Sequence, residues 1–306
     1  RVQAALESEL QDAMIMTQAR GAAGIILDVQ TGEVMGLASL PLFDPNKIRR
    51  ASMKYQNNEV TQSVFELGST FKPLTIAAAL DAGTVTDLAV RYNAMEPIKI
   101  GGFTIKDDHS QGRYLNVPET LVHSSNIVTA RIADNLGQEA MENMFRRLGF
   151  DERPHIELVE RGFPLWPRSW GRVTNMTVAY GHGIAVTPLH LASAYAALVN
   201  GGIWRPATLL KVEPGKEAKG RRVFKAATSA RMRQLLRMIV SDGTGRNADA
   251  PGYRIGGKTG SAEKPSEGGY NKTSLVSTFA AAFPMDNPRY IVIAMLDEPK
   301  GTAETS

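Results

Sequence analysis

The sequence predicts an α/β (α+β) chain in which an antiparallel sheet is flanked by helices and interrupted by a mostly helical lobe. Two observations support this class. β-Prone runs form a hairpin pattern near the start of the chain and recur near its end, whereas the long middle stretch carries apolar residues at helical spacing. We therefore expect a sheet lobe from about 1–65 and 241–306, and a helical lobe from about 66–240.

Composition narrows the function classes. The 306 residues are 43% hydrophobic and carry a formal net charge of +4, which excludes a disordered chain because enough apolar surface can be buried. The longest apolar stretches, such as 74–80 and 290–296, fall short of the roughly 18 residues that span a bilayer. The one tight basic cluster, within 216–222, lacks interleaved aromatic residues, so no nucleic-acid partner is expected. The absence of cysteine excludes disulfides and thiolate metal sites.

The first elements are a helix and a hairpin. Apolar residues at helical spacing predict a helix over 2–18. Short β-prone runs at 24–29 and 33–38 flank Gln30-Thr31-Gly32, which is typical of a hairpin turn. A helical apolar run follows over 71–80.

A long helix is predicted to start at Pro118, continue through Asn135 and end at Gly137, because proline favours the first turn and glycine follows the last. Further helices are predicted at 138–148, 188–199 and 228–240, and strands at 274–283 and 289–296. The hairpin and these last strands are expected to share one antiparallel sheet.

The S-x-x-K pattern occurs twice. Ser69–Lys72 follows a glycine and leads into the apolar run from 74 to 80, which favours a helix, whereas Pro265 after Ser261–Lys264 argues against one. On a helix Ser69 and Lys72 would share a face, so that an amine could take the hydroxyl proton. The alternative interpretation is that Ser69 simply caps the helix.

Two further motifs carry polar side chains suited to acyl transfer. Ser124-Ser125-Asn126, the only S-x-N in the chain, combines a proton-relaying hydroxyl with an amide that can bind a peptide group; alternatively these residues lie on a solvated helix face. Lys258-Thr259-Gly260 is the only K-T-G, and taken alone it could be a structural turn.

Other site types find less support. Gly252–Thr259 fits the phosphate-binding pattern G-x-x-x-x-G-K-[ST], but that loop needs a core strand before it and a helix after it. Pro251 precedes the motif, and Pro265 and Gly268 follow it, so nucleotide binding is rejected. No metal site is expected, because no tight ligand pattern occurs among His109, His123, His155, His182 and His190.

In the order S-x-x-K, S-x-N and K-T-G, the three motifs form the set of the penicillin-binding proteins and serine β-lactamases. The chain resembles the class B penicillin-binding proteins, and among them the septal cell-division transpeptidases. The resemblance covers nearly the whole chain and implies their transpeptidase fold. It is carried by the segments Ala38–Asn46, Glu66–Pro73, His123–Asn126, Tyr180–Ala192 and Gly256–Glu263.

The resemblance implies a peptidoglycan D,D-transpeptidase that cross-links stem peptides through a serine acyl-enzyme and is acylated by β-lactam antibiotics. Matching positions imply Ser69 as the nucleophile, Lys72 as the base and Ser124 as the hydroxyl that relays a proton to the leaving D-Ala. The implied substrate-binding residues are Asn126, Lys258, Thr259, Gly260 and Ser261.

Two electrostatic expectations follow from these roles. Lys72 must be uncharged part of the time to act as a base, and a second buried cation at Lys258 would lower its pKa. The oxyanion is expected between the backbone N–H groups of Ser69 and Ser261.

The resemblance also implies a location and partners. It places the protein on the periplasmic side of the bacterial inner membrane, held by an N-terminal anchor that this chain does not include, with membrane proteins of the division machinery as partners. It implies no cofactor. It further implies a C-terminal helix beyond the strand at 289–296, which the chain does not contain before Ser306.

Three alternatives remain. A serine β-lactamase is disfavoured because the chain lacks the E-x-x-L-N segment of class A enzymes and has Asn126 where class D enzymes carry an apolar residue. A D,D-carboxypeptidase differs only in whether water or an amine reaches the acyl-enzyme. A penicillin-recognising sensor or a division scaffold would keep the motifs without turnover.

Overall fold

The computed structural model describes residues 1–47, 57–266 and 269–301, and over 265–273 it describes the backbone alone. The helices are α1 (Val2–Met16), α2 (Lys72–Asp81), α3 (Val117–Val122), α4 (Asn126–Leu136), α5 (Gln138–Arg147), α6 (Arg172–Val178), α7 (Pro188–Val199) and α8 (Ala226–Asp242). The strands are β1 (Gly21–Asp28), β2 (Val34–Leu40), β3 (Tyr92–Asn93), β4 (Ile98–Ile100), β5 (Phe103–Ile105), β6 (Tyr114–Leu115), β7 (Ile203–Trp204), β8 (Arg221–Arg222), β9 (Gly256–Ser266), β10 (Gly269–Phe283) and β11 (Tyr290–Asp297).

The main sheet joins the two ends of the chain. Within the described ranges five strands pair in the order β2-β1-β11-β10-β9, and every neighbouring pair is antiparallel. The expectation that the first hairpin and the last strands share one sheet is therefore confirmed. β9, at one edge, carries the K-T-G motif.

Alternate residues of the central strands bury two faces, as the two-residue period of a strand requires. On one face Ile25 and Ile293 belong to the large core formed with the helices. On the other face Ala22 packs against Leu6 and Leu10 of α1. α1 thus covers one side of the sheet, and α7, buried along its whole length, covers the other.

The elements predicted from periodicity are largely confirmed: α1, α2, α5, α7 and α8 and the strands β1, β2, β10 and β11 lie where expected, with ends shifted by a few residues. The single helix predicted from Pro118 through Asn135 is wrong, because α3 and α4 are separate. Sequence periodicity also missed β9, whose glycines and Pro265 have low β-propensity.

β9 is also incompatible with a phosphate-binding loop, because Lys258 lies within a strand rather than at the start of a helix. Gly268, which supported that rejection, lies outside the described residues. Of the helices in the described part of the chain, none is both long and apolar enough to cross a bilayer.

Candidate active site

The segment that carries Ser69 packs closely against the edge strand β9. Residues 68–71 form one 3-10 turn that continues into α2, so Ser69 lies just before the helix that begins at Lys72. Gly68 has a φ of +54°, and a Cβ there would lie 2.5 Å from the carbonyl oxygen of Ser261. A Cβ on Gly260 would likewise lie 2.5 Å from the carbonyl oxygen of Leu67. Only glycine permits this approach, which brings the S-x-x-K and K-T-G segments together.

The segment that carries Ser69 is also held by hydrogen bonds from the helical lobe. The Tyr195 hydroxyl on α7 donates to the carbonyl oxygen of Thr70 at 2.6 Å, and the Thr75 hydroxyl donates to that of Ala179 at 2.8 Å. Tyr195, Thr70 and Thr75 are all buried. Since a buried donor without a partner costs free energy, these contacts favour one placement of the turn that carries Ser69.

Lys72 is a fully buried amine that contacts the S-x-N turn. Its side chain has 0% exposure, and its Nζ donates to the carbonyl oxygen of Ser124 at 2.6 Å and to Ser124 Oγ at 2.9 Å. Burial lowers the pKa of Lys72 from 10.5 to about 7, against the opposing effect of Asp107 and Asp108. An amine with this pKa is uncharged in a substantial fraction of molecules at neutral pH, as a general base must be.

Lys258 lies on β9 and is also fully buried. Its Nζ donates to the carbonyl oxygen of Thr259 at 3.0 Å. Burial, and secondarily the charge of Lys72, hold the pKa of Lys258 well below its ordinary value. From the sequence, Lys258 is expected to cause the low pKa of Lys72, whereas burial of Lys72 itself is the largest cause. The repulsion between the two buried amines disfavours the state in which both are charged.

The S-x-N motif lies in a turn rather than inside a helix. Ser124 has a φ of +57°, in the left-handed region, which ends α3 before α4 begins at Asn126. The Ser125 hydroxyl then caps α4 by accepting from the backbone N–H of Val128 at 3.1 Å. This local geometry, which periodicity could not anticipate, directs Ser124 to Lys72.

A loop after β5 holds the turn from the other side. The Ser125 hydroxyl donates to Asp107 Oδ2 at 2.8 Å, and the Ile127 N–H donates to Asp107 Oδ1 at 2.9 Å. Asn126 Nδ2 donates to the carbonyl oxygen of Lys106 at 3.0 Å. The sequence analysis missed Asp107, because no local pattern relates a loop carboxylate to a motif that begins more than a dozen residues later.

Three of the predicted residues face one cavity. A cavity of about 340 Å³ is lined by Ser69, Asn126 and Ser261, together with three carboxylates and three rings: Glu66, Asp108, Glu263, Phe103, Tyr180 and His182. Lys72 and Lys258 are buried, and the Thr259 hydroxyl donates to that of Thr244 at 3.0 Å. The structure therefore brings the three motifs together, with the two lysines beneath the surface that carries Ser69.

The rim of this cavity contains residues that sequence reasoning did not select. Glu66 Oε1 accepts from the Gly183 N–H at 2.9 Å, and Glu66 Oε2 lies 3.3 Å from His182 Nδ1. Burial raises the pKa of Tyr180 well above its ordinary value, and the charges of Asp108 and Glu66 add to that effect. The tyrosine therefore stays protonated at neutral pH. The described residues contain no group of three or more His, Cys, Asp or Glu side chains that could hold a metal ion.

Fold and site together define a class. An antiparallel sheet with a helical insertion presents S-x-x-K at the start of a helix, S-x-N on a turn and K-T-G on the edge strand, which is the arrangement of the active-serine penicillin-recognising proteins. The chain belongs to the family of penicillin binding protein transpeptidase domains, whose sequence profile matches residues 22–306. This profile, together with the FtsI relatives described next, confirms the resemblance to class B members.

Individual relatives agree with this assignment. The chain is 44% identical to the "Probable peptidoglycan D,D-transpeptidase FtsI" of Caulobacter vibrioides, over 100% of this chain and 53% of that protein. It is 31% identical to the peptidoglycan D,D-transpeptidase FtsI of Escherichia coli K12, over 98% of this chain and 51% of that protein. The chain thus spans about half the length of these relatives.

Solved structures show the same fold. The transpeptidase domain of Burkholderia pseudomallei penicillin-binding protein 3 superposes with a TM-score of 0.89 at 32% identity, covering 99% of this chain and 88% of that one. Penicillin-binding protein 3 of Mycobacterium tuberculosis, complexed with aztreonam, also gives a TM-score of 0.89, at 29% identity, over 100% of this chain and 72% of that one.

Proposed function

We propose that this chain is the catalytic domain of a septal peptidoglycan D,D-transpeptidase, which cross-links stem peptides through an acyl-enzyme on Ser69. The observation that carries the proposal is the fully buried Lys72, with its pKa lowered to about 7, in contact with Ser124 beside the segment that bears Ser69. A buried lysine without an ion-pair partner destabilises a fold, and its retention here fits a catalytic role.

The chemistry follows from these contacts. An uncharged amine has two N–H groups and one lone pair, and the two contacts with Ser124 use both N–H groups of Lys72. The lone pair is left to accept the proton of Ser69 Oγ as that oxygen attacks the carbonyl carbon between the two D-Ala residues. The backbone N–H groups of Ser69 and Ser261 stabilise the oxyanion.

The leaving group takes the proton back. As the tetrahedral intermediate collapses, the C–N bond breaks and Lys72 returns its proton through the Ser124 hydroxyl to the nitrogen of the departing D-Ala. An acceptor amine then attacks the ester carbonyl carbon and forms the new C–N bond, while the C–O bond to Ser69 breaks. The proton that the amine loses passes through Ser124 and Lys72 to Ser69 Oγ, which restores the hydroxyl. The substrate carboxylate binds at the Thr259 hydroxyl, above the buried Lys258. Its negative charge favours the protonated form of Lys258, which burial otherwise disfavours.

The setting is proposed from the relatives. FtsI of Escherichia coli is named a peptidoglycan D,D-transpeptidase, and we place this protein on the periplasmic face of the inner membrane, anchored by a segment outside residues 1–306 and working with membrane proteins of cell division. A related structure is complexed with aztreonam, so β-lactams are proposed as covalent inhibitors that acylate Ser69.

The test is labelling with a fluorescent penicillin, followed by intact-protein mass spectrometry. We expect one penicillin mass on the unaltered chain and on the control Ser8→Ala, which lies on α1 at the far face of the sheet, and none on Ser69→Ala. A second assay follows D-Ala release from a synthetic stem peptide, with and without an acceptor amine. Labelled Ser69→Ala would contradict the nucleophile assignment, labelling without D-Ala release would indicate a sensor, and release without amine incorporation would indicate a carboxypeptidase.

A further inference from the structure

The connection between α3 and α4 needs support from outside itself. Ser124 has a φ of +57°, a conformation that residues with a Cβ adopt rarely. On the α3 side, the Ser125 N–H donates to the carbonyl oxygen of Thr120 at 2.9 Å. That bond closes the end of α3 but does not determine the direction in which the chain leaves the turn.

Asp107 supplies the contact on the α4 side. Its two carboxylate oxygens accept from different parts of the turn, the Ser125 hydroxyl at 2.8 Å and the Ile127 N–H at 2.9 Å. Ile127 belongs to the first turn of α4, whose N–H groups have no partner within the helix. A negative charge at a helix N-terminus is favourable, so the carboxylate both caps α4 and fixes Ser125.

Each residue of the motif is therefore held by a different external group. Ser124 is held by Lys72, Ser125 by Asp107, and Asn126 by the carbonyl oxygen of Lys106. The position of the turn relative to the nucleophile segment thus depends on Lys72 on one side and on the loop after β5 on the other.

We infer that Asp107 is a positioning residue of the acyl-transfer site, which holds the Ser124–Asn126 turn so that Ser124 meets Lys72. The inference rests on the function proposed above, because the contact between Ser124 and Lys72 matters only if both move a proton. Asp107 acts through Ser125 and Ile127 rather than on the reacting atoms.

The charge of Asp107 has a second, separable effect. Lys72 is faced by Asp107 and Asp108 from the loop and by Lys258 from β9. Asp107 opposes the lowering of the Lys72 pKa by burial. Removing its charge therefore lowers that pKa further, and the uncharged amine persists to lower pH.

Two variants separate geometry from charge. Asp107→Asn removes the charge and one hydrogen-bond acceptor, whereas Ser125→Ala removes the hydroxyl that donates to Asp107 and leaves the charge in place. Ser125→Ala also removes the cap on the Val128 N–H, and that loss is read separately as a lower thermal stability. The measurement is the second-order rate of Ser69 acylation by a fluorescent penicillin as a function of pH. We expect Asp107→Asn to reduce the plateau rate, reached at pH values where Lys72 is uncharged, about tenfold, the size of effect that follows from losing a hydrogen bond to a charged group. The acidic limb, the pH range over which the rate rises as Lys72 loses its proton, should shift to lower pH.

For Ser125→Ala we expect a similar loss of the plateau rate with the acidic limb unmoved. The double variant should lose little more than either single one, because both break the same contact. The matched control is Asp87→Asn, an exposed aspartate that accepts from the Ala89 N–H outside the site, and it should change neither quantity. Thermal unfolding of each variant shows whether it is folded at the assay temperature.

The outcomes distinguish this inference from the proposed function. If the unaltered chain is not acylated, the proposed function fails and the inference fails with it. If the unaltered chain is acylated and folded Asp107→Asn keeps both plateau and limb, only the inference is overturned. If Asp107→Asn does not fold, Ser125→Ala decides, and an unchanged plateau in that variant overturns the inference.

Discussion

Two segments of this chain share the pattern S-x-x-K, and the structure gives them opposite surroundings. Ser69–Lys72 lies where a 3-10 turn becomes α2, whereas Ser261–Lys264 lies on the edge strand β9. In the first segment, the spacing of three residues on a helical turn places the serine and the lysine on the same face. In the second they extend along a strand, where residues three apart point to opposite faces.

The two lysines differ in charge for reasons that the pattern does not contain. Lys72 has 0% exposure and donates to two uncharged oxygens of Ser124. Burial lowers its pKa to about 7 despite the opposing effect of Asp107 and Asp108. Burial also acts to lower the pKa of Lys264, but two carboxylates outweigh it and raise that pKa. The two carboxylate oxygens are Asp297 Oδ1, which lies 2.5 Å from Lys264 Nζ, and Glu298 Oε1, which lies 3.0 Å from it.

The comparison shows that the partners of a lysine decide its chemistry more than its spacing from a serine. An amine that is buried without carboxylates in contact becomes a base near neutral pH, whereas the same amine beside two carboxylates stays a cation and becomes part of the structure. The three experiments below test this difference.

The largest effect is expected from exchanging each lysine for methionine, which keeps the chain length and removes the amine. Lys72→Met should reduce the rate of acylation by a fluorescent penicillin about 10²–10⁴-fold, the usual contribution of a general base. Lys264→Met should change that rate little. An equal loss of acylation rate in the two variants would show that the surroundings of the two lysines do not give them different roles.

A smaller effect is expected from pH. With a pKa of about 7, Lys72 is mostly protonated at pH 6 and mostly uncharged at pH 8, so the acylation rate of the unaltered chain should rise roughly tenfold between those values if the uncharged amine is the base. Lys264, whose pKa is raised, stays charged over this range. The Lys264→Met variant should therefore show the same rise in acylation rate between pH 6 and pH 8 as the unaltered chain. A flat profile would argue against Lys72 as the base.

The smallest effect is expected in the free energy of unfolding, and here Lys264→Met should be the more damaging of the two variants. Lys264 is partly exposed, so its ion pairs are screened by solvent, and Lys264→Met should lower the free energy of unfolding by roughly 0.5–1 kcal/mol. Because the pKa of Lys264 is raised on folding, this stabilisation is fully present below the ordinary value of 10.5 and is lost as pH rises through the folded value.

Denaturant titration at neutral and at alkaline pH measures this difference. The matched variant Lys72→Met should be at least as stable as the unaltered chain at neutral pH, since it removes an amine whose charged form burial disfavours. A Lys264→Met chain as stable as the unaltered one at neutral pH would show that the ion pairs do not stabilise the fold.

Much of the fold could be predicted because its signals are local. Apolar spacing located α7 at 188–199, and a turn between two β-prone runs located the first hairpin. β9 could not be found in this way, because its glycines lower strand propensity, and Gly260 is required by the close approach of the Leu67 carbonyl oxygen, a tertiary contact. The break at Ser124 was missed for a similar reason, since the contacts that hold it come from Lys72 and Asp107.

The order of three short motifs, and the identity of the residues within them, were determined by the sequence alone, and with them the family. Only the tertiary structure decided which S-x-x-K has a lysine with a lowered pKa, that the K-T-G strand packs on the turn that carries Ser69, and that Asp107 caps the helix after Ser124. The physical reason is that proton affinity depends on burial and on nearby charges, and those are contributed by residues far apart along the chain.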